Sequence, residues 1–213
     1  MFEFLNVKYK DVLDLPTLNI GQEKITTFIG PSGSGKTTIL KMLNKLISPT
    51  QGKIIFKETD LQQINSVAHR RQVSMLSQNP AIFAGSIRDN LNAGLKFQER
   101  ELPSDGVLNH ILEQVKLNKS LESAANTLSG GEKQRLALGR LLLLNSEVYL
   151  LDEPSSALDD ETEEIIIQML TDHIKREKKT IVMVTHSKAI AQKYSDIIIE
   201  ISKGKMLKSE VQL

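Results

Sequence analysis

Cysteine is absent from all 213 residues, so neither a disulfide framework nor a thiolate metal site can form, and a reducing cytosol suits the chain. An excess of charge of one sign is missing too. Lysine and arginine number 27 against 26 acidic residues, a formal net charge of +1. With no global basic field, nucleic acid is not expected as a partner. No apolar run approaches the ~18 residues needed to cross a bilayer. The opening MFEFLNVKYK has no basic segment leading into an apolar stretch with a small-residue cleavage site, so a soluble chain without an export signal is expected. Low-complexity tracts and repeats of about 20 to 50 residues are also lacking.

What is present suits one globular domain with a real core, at 40% hydrophobic and 25% charged residues. Short apolar runs rich in β-branched residues alternate with helical stretches: ITTFI (25–29), VSML (73–76), VYLL (148–151), IVMVT (181–185) and IIIEI (197–201). That alternation predicts an α/β fold with a mostly parallel sheet buried between helices. The first segments, FEFLNVKY, TLNI and KIIF, alternate more and are separated by Gly21 and the turn SPTQG, which predicts an antiparallel layer. KGKMLKSEV reads as a closing hairpin. From Ala84 to Thr127 the strand pattern stops. SIRDNLNAGL and SDGVLNHILEQVKL have helical spacing, punctuated by Pro103 and Gly106.

The stretch GPSGSGKT, Gly30 to Thr37, follows an apolar strand and opens the helical pattern TTILKMLNKLI. In that context it is a P-loop. Backbone N–H groups of Gly33, Ser34, Gly35 and Lys36 wrap a phosphate, Lys36 neutralises the terminal phosphates, and the Thr37 hydroxyl ligates Mg²⁺. One helix N-terminus gives an anion only ~1 kcal/mol, whereas micromolar binding needs about 8 kcal/mol. Several contacts must therefore act together, and Gly30, Pro31, Ser32 and Thr38 complete the cradle.

A second apolar strand ends in two carboxylates, in EVYLLDEP. This puts Asp152 at the sheet edge, where it can hold Mg²⁺ through water, and Glu153 beside it, where it can polarise an attacking water. A third motif, LSGGEKQR from Leu128 to Arg135, has the S-x-x-E spacing of a capping box. Ser129 is the expected N-cap of a helix running to Asn145. An exposed serine with Gly130 and Gly131 at a positive helix end also suits phosphate, yet no strand precedes it. A second complete nucleotide site is not expected there.

The P-loop, LSGGEKQR and LLDEP, in this order and spacing, resemble the nucleotide-binding domain of the ATP-binding cassette (ABC) family, across essentially all 213 residues. The resemblance implies a P-loop NTPase core over 1–84 and 128–213 with an inserted helical subdomain over 85–127. It implies ATP and Mg²⁺ as cofactors, with Thr37, Gln78 and Asp152 around the metal. Glu153 is implied as general base and His186, after IVMVT, as the switch histidine at the γ-phosphate. Gln78 in MLSQNP stands at the Q-loop position, which also senses the membrane partner. Tyr9 matches the aromatic that stacks on adenine, and the SALD stretch, Ser156 to Asp159, resembles the D-loop, with Asp159 near the nucleotide.

In this family two cassettes pack head to tail, so that Ser129, Gly130 and Gly131 of one chain would cover the ATP on the other's P-loop. The implied partners are a second copy or a homologous cassette and a transmembrane permease. The implied location is the cytoplasmic face of the cell membrane, peripheral through that permease, whose short helix would enter a groove near Gln78, Ile82 and Phe83. Chromosome or DNA-repair ABC proteins carry a coiled coil or zinc cysteines, translation-type ones a second cassette, and this sequence has none of these. A non-catalytic module would need a damaged pair of acids, and Glu153 is present. The motifs name neither the cargo nor the direction of transport.

Overall fold

A computed structural model describes residues 1–212. Among these described residues, ten strands form two sheets: β1 (Phe2–Tyr9), β2 (Leu13–Ile20), β3 (Ile25–Ile29), β4 (Gln51–Phe56), β5 (Thr59–Asp60), β6 (Val73–Leu76), β7 (Val148–Asp152), β8 (Thr180–Val184), β9 (Ile197–Ser202) and β10 (Lys205–Val211). Seven α-helices accompany them: α1 (Lys36–Leu43), α2 (Ser66–Gln72), α3 (Ile87–Phe97), α4 (Asp105–Gln114), α5 (Gly130–Leu143), α6 (Asp160–Arg176) and α7 (Lys188–Tyr194). The smaller sheet runs β2-β1-β4-β5 and pairs antiparallel throughout. The larger runs β10-β9-β3-β8-β7-β6, parallel except for its β9–β10 edge.

The two layers follow from residue pattern. β1 alternates, with Phe2, Phe4 and Val7 buried and Glu3 and Lys8 exposed, as a half-covered antiparallel strand must. β7 and β8 are buried at every position, as strands with a layer on both faces must be. One apolar cluster joins Phe2, Phe4 and Leu15 to Phe28, Val182 and the α1 side chains Ile39, Leu40 and Leu43. Helix α1 thus lies between the sheets. The other cluster packs Leu151 and Met183 beneath Leu136 and Leu138 of α5, Ile166 and Leu170 of α6, and Leu91 and Leu108 of α3 and α4.

Helical spacing predicts that the segment after the P-loop runs to Ile47, but α1 stops at Leu43. Lys45 takes φ +56, its N–H donates to Met42 O, and the Leu46 N–H donates to Lys41 O, both at 2.9 Å. This pair of bonds is the left-handed helix stop usually built on glycine. The buried Asn44 amide fixes it in place by donating to Val73 O at 2.6 Å. The closing hairpin forms as expected, with Lys203 and Gly204 at φ +47 and +74, the two-residue turn that matches strand twist. Helices α2 and α7, at seven residues each, were not apparent from periodicity.

Helix α2 carries a fully buried histidine. Nε2 of His69 lies 2.7 Å from Leu43 O, and the ring stands edge-on to Phe2 and Phe56 at 6.4 and 5.0 Å. Burial pushes its pKa down, with the Lys45 and Arg70 cations adding to the effect against the Leu43 carbonyl. A histidine kept neutral in the fold contributes stability that is fully present above its unfolded pKa of about 6.5 and is lost as pH falls below it. His69→Gln keeps an N–H donor and cannot titrate. The melting temperature of the parent is expected to drop more than that of His69→Gln between neutral and mildly acidic pH. Equal drops would show that His69 is not the titrating group.

Candidate functional site

The C-terminal ends of the parallel strands converge on one cavity of about 550 Å³, lined by Val12, residues 32–38 of the P-loop, Gln78, Glu153 and His186. The loop curls because Gly33 and Gly35 take φ +74 and +103, conformations that side chains resist. Lys36 turns back into the loop, its Nζ donating to Gly30 O and Pro31 O at 2.8 and 2.9 Å. Burial pulls its pKa down, while the nearby Glu153 and Asp152 charges push it up. An ammonium so placed suits a polyanion.

Strand β7 delivers the two acids. Asp152 is buried, and its Oδ1 accepts the Thr37 hydroxyl at 3.0 Å. Burial raises its pKa, opposed by the Thr37 hydrogen bond and by the Lys41 and Lys36 charges, and Glu153 raises it further. A nearby cation would relieve that cost. A hydroxyl and a carboxylate this close are hard oxygen donors of the kind Mg²⁺ prefers, since that ion usually takes one or two protein ligands together with phosphate oxygens and water.

Glu153 is the most constrained residue of the site. Its backbone sits at φ +50, an unusual conformation for glutamate and one that concentrates at functional positions. Its N–H donates to Val184 O at 3.0 Å, and its carbonyl accepts the Gln134 amide at 3.1 Å. One carboxylate oxygen meets Nε2 of His186 at 2.9 Å, and the other accepts the Gln78 amide at 3.0 Å. Three separate segments thus aim the carboxylate into the cavity.

Ser129, Gly130, Gly131, Tyr9 and Asp159 do not line this cavity. Ser129 caps α5: its hydroxyl accepts the Glu132 N–H at 3.3 Å, and its own N–H donates to the Glu132 carboxylate at 2.9 Å. The two neighbouring glycines differ. A Cβ on Gly131 would come within 2.9 Å of Ala157 O and 3.2 Å of Leu158, whereas one on Gly130 would meet nothing within 4 Å. Close packing inside the chain accounts for the first glycine only. Asp159 accepts the Thr162 N–H at 3.0 Å and caps α6, whose first turn carries Asp160, Glu161 and Glu163. Tyr9 is half-buried against the antiparallel layer, with the Lys10 ammonium 5.3 Å from its ring centre.

Two contributors escaped the sequence reading. Val12 lines the cavity from the turn between β1 and β2 and carries no motif. Gln134 lies inside LSGGEKQR and is buried; its bond to the Glu153 carbonyl links two motifs that the sequence keeps far apart. The expected groove is also revised. Ile82 packs on the core, and Gln78 faces the P-loop cavity. A second cavity of about 430 Å³ is instead walled by Leu46, Pro80, Phe83 and Phe97 with Lys41, Arg70 and Arg140. Phe83 and Phe97 meet edge to face at 5.6 Å, with the Arg140 guanidinium 4.9 Å from the Phe83 ring centre.

Residues 13–156 match the ABC transporter family model. The chain is 39% identical over 205 residues to the thiamine import ATP-binding protein ThiQ of Aliivibrio fischeri, covering 92% of this chain and 87% of that protein. It is 34% identical over 212 residues to the ABC multidrug transporter E of Aspergillus fumigatus, covering 92% of this chain but 17% of that protein. A dimeric structure of a post-hydrolysis state of the ATP-binding cassette MJ0796, bound to ADP and Pi, superposes with a TM-score of 0.89 at 28% identity, covering 100% of this chain and 99% of that one.

Proposed function

The chain belongs to the ABC transporter family, and from that membership we propose that it is the ATP-hydrolysing subunit of a transporter, working as a head-to-tail pair beneath a separate transmembrane partner. The observation that carries this reading is that Thr37 and Glu153 line the P-loop cavity while the buried Asp152 accepts the Thr37 hydroxyl directly behind it. The Lys36 ammonium and the backbone N–H groups of Gly33, Ser34, Gly35 and Lys36 hold the phosphates of ATP, with Gly30, Pro31, Ser32 and Thr38 completing the cradle. Thr37, Asp152 and Gln78 would hold a magnesium ion, which when bound neutralises phosphate charge. Glu153 accepts a proton from the attacking water, with Gln78 and His186 fixing its carboxylate, and His186 contacts the γ-phosphate. Tyr9 and Asp159 are assigned to the nucleotide as well, Tyr9 at adenine and Asp159 where the copies meet.

The same reading supplies a purpose for Gly130. Its surroundings are open, Ser129 and Gly130 are exposed, and the α5 N-terminus offers amides to an anion. These features suit the terminal phosphate of ATP on a second copy. Residues 85–127 then serve as the helical subdomain that carries this surface, with 1–84 and 128–213 as the core. No helix among the described residues is long and apolar enough to cross a membrane, so we assign the membrane passage to the partner and place this chain at the membrane's cytoplasmic face.

We assign the Phe83 cavity to that partner. Phe97 is 73% exposed and Leu46 55%, unusual for large apolar groups gathered in one patch. All three charged side chains of the lining are basic, in a chain whose net charge is only +1. The fitting occupant is a short apolar helix carrying a carboxylate.

Two outcomes follow. Glu153→Gln is expected to bind Mg-ATP as the parent does, to slow turnover by ~10² or more, and to accumulate an ATP-bound dimer on size-exclusion chromatography. Normal hydrolysis with only monomer present would remove Glu153 from its assigned role. Phe83→Asp sets a carboxylate against an acidic occupant, and it is expected to abolish ATP-driven transport in vesicles reconstituted with the copurified membrane partner while basal hydrolysis continues. Undiminished transport would exclude the cavity as the coupling surface.

A further inference from the structure

Glu132, the third residue of α5, uses its two carboxylate oxygens in different directions. One accepts the Ser129 N–H at 2.9 Å and closes the capping box. The other lies 3.2 Å from Nζ of Lys119, in the turn beyond α4, where the Lys119 N–H donates to Leu117 O at 2.9 Å. The Ser129 N–H first, and then Lys119, hold the Glu132 carboxyl below the usual range. The Lys119 side chain is 43% exposed and that of Glu132 20%, so the pair sits at the surface beside Ser129 and Gly130.

A carboxylate at this position has opposing effects. Within the chain it favours the helix, because negative charge suits the positive end of the dipole. Toward an incoming phosphate it is unfavourable, because a like charge stands beside the amides that would bind it. A glutamine would cap the helix equally well without that charge. Lys119 resolves the conflict by supplying one positive charge to one negative charge.

We propose that Lys119 is a positioning residue for the Ser129–Gly131 turn, holding the Glu132 carboxylate in the capping box and cancelling its charge so that the turn can receive the terminal phosphate bound by a second copy; this rests on the two-copy reading above. Lys119 does not line the P-loop cavity of its own chain, so its effect is confined to joining the copies. A two-fold dimer contains the turn twice, so the modest repulsion that a bare Glu132 charge at this partly exposed site exerts on the incoming phosphate counts twice.

The test measures dimer dissociation in Mg-ATP by analytical ultracentrifugation, in the slowly hydrolysing Glu153→Gln background. Lys119→Gln is expected to weaken the dimer about fivefold, while fluorescent-ATP titration of the monomer shows unchanged affinity. Lys119→Arg restores the dimer, since the charge returns. Glu132→Gln combined with Lys119→Gln restores it as well, since a neutral amide needs no counter-charge, and a purely structural role for Lys119 would not give that rescue. The proposal is overturned if Lys119→Gln leaves the dimer unchanged, or if the same loss persists with Gln at position 132. Should the Glu153→Gln parent form no ATP-dependent dimer at all, the two-copy reading fails and takes this proposal with it, a result distinct from either of the others.

Discussion

The parallel pairing of β3, β8 and β7 is the constraint on which the rest of the site depends. Its register sets Phe28 opposite Val184, and Val184 opposite Asp152, in one row across three strands. Each chain leaves the sheet just beyond that row: β3 into the P-loop, β7 into Glu153, and β8 into Thr185 and His186. Slipping any strand by one residue would turn its side chains to the opposite face. Asp152 would then no longer meet the Thr37 hydroxyl, and Glu153 would no longer meet His186. The β-branched and apolar residues that bury these strands on both faces therefore also fix the positions of groups that they never touch.

The charges gathered at that edge are held under strain. Asp152 and Lys36 are both buried, and burial moves their pKa values toward neutrality from opposite sides. Glu153 adds a left-handed backbone. A binding site benefits from such preorganisation, because donors and acceptors already in place need no rearrangement when charge arrives. Gln134 extends the arrangement to α5 through its bond to the Glu153 carbonyl. The segment proposed to contact one copy's nucleotide is thereby tied to the carboxylate proposed as base for another.

The sequence made the cradle and the acids legible because each motif is contiguous and lies at a junction that hydrophobic patterning marks clearly. GPSGSGKT follows a β-branched run, LLDEP ends one, and LSGGE announces its own helix cap. The α/β class and the antiparallel layer were legible for the same reason. Contacts between distant segments were not. Nothing local in SPTQG or MLNKL marks Lys45 as a helix stop, because its conformation is secured by Asn44 bonding to a strand that comes much later. Val12 has no signature, since only the folding of the β1–β2 turn against the P-loop brings it to the cavity. Ile82 and Phe83 are both large and apolar, and only the packing of the two cores decides that the first turns inward and the second outward.

The central claim is that the P-loop of one copy and the Ser129–Gly131 turn of another make one working site. Mixing two inactive chains tests it directly. Lys36→Ala removes the phosphate-binding ammonium, and Ser129→Arg places a bulky side chain in the neighbour's phosphate contact, so neither chain should hydrolyse ATP alone. In a mixed dimer one site carries both lesions and the other carries neither. Random pairing puts such a site in half of the dimers, so ATP hydrolysis should return to about a quarter of the parent's if the sites act independently. If the two chains demonstrably form ATP-dependent mixed dimers and a crosslink joins positions 34 and 129 within one chain, with no activity returning, the site lies within a single copy and the account is contradicted.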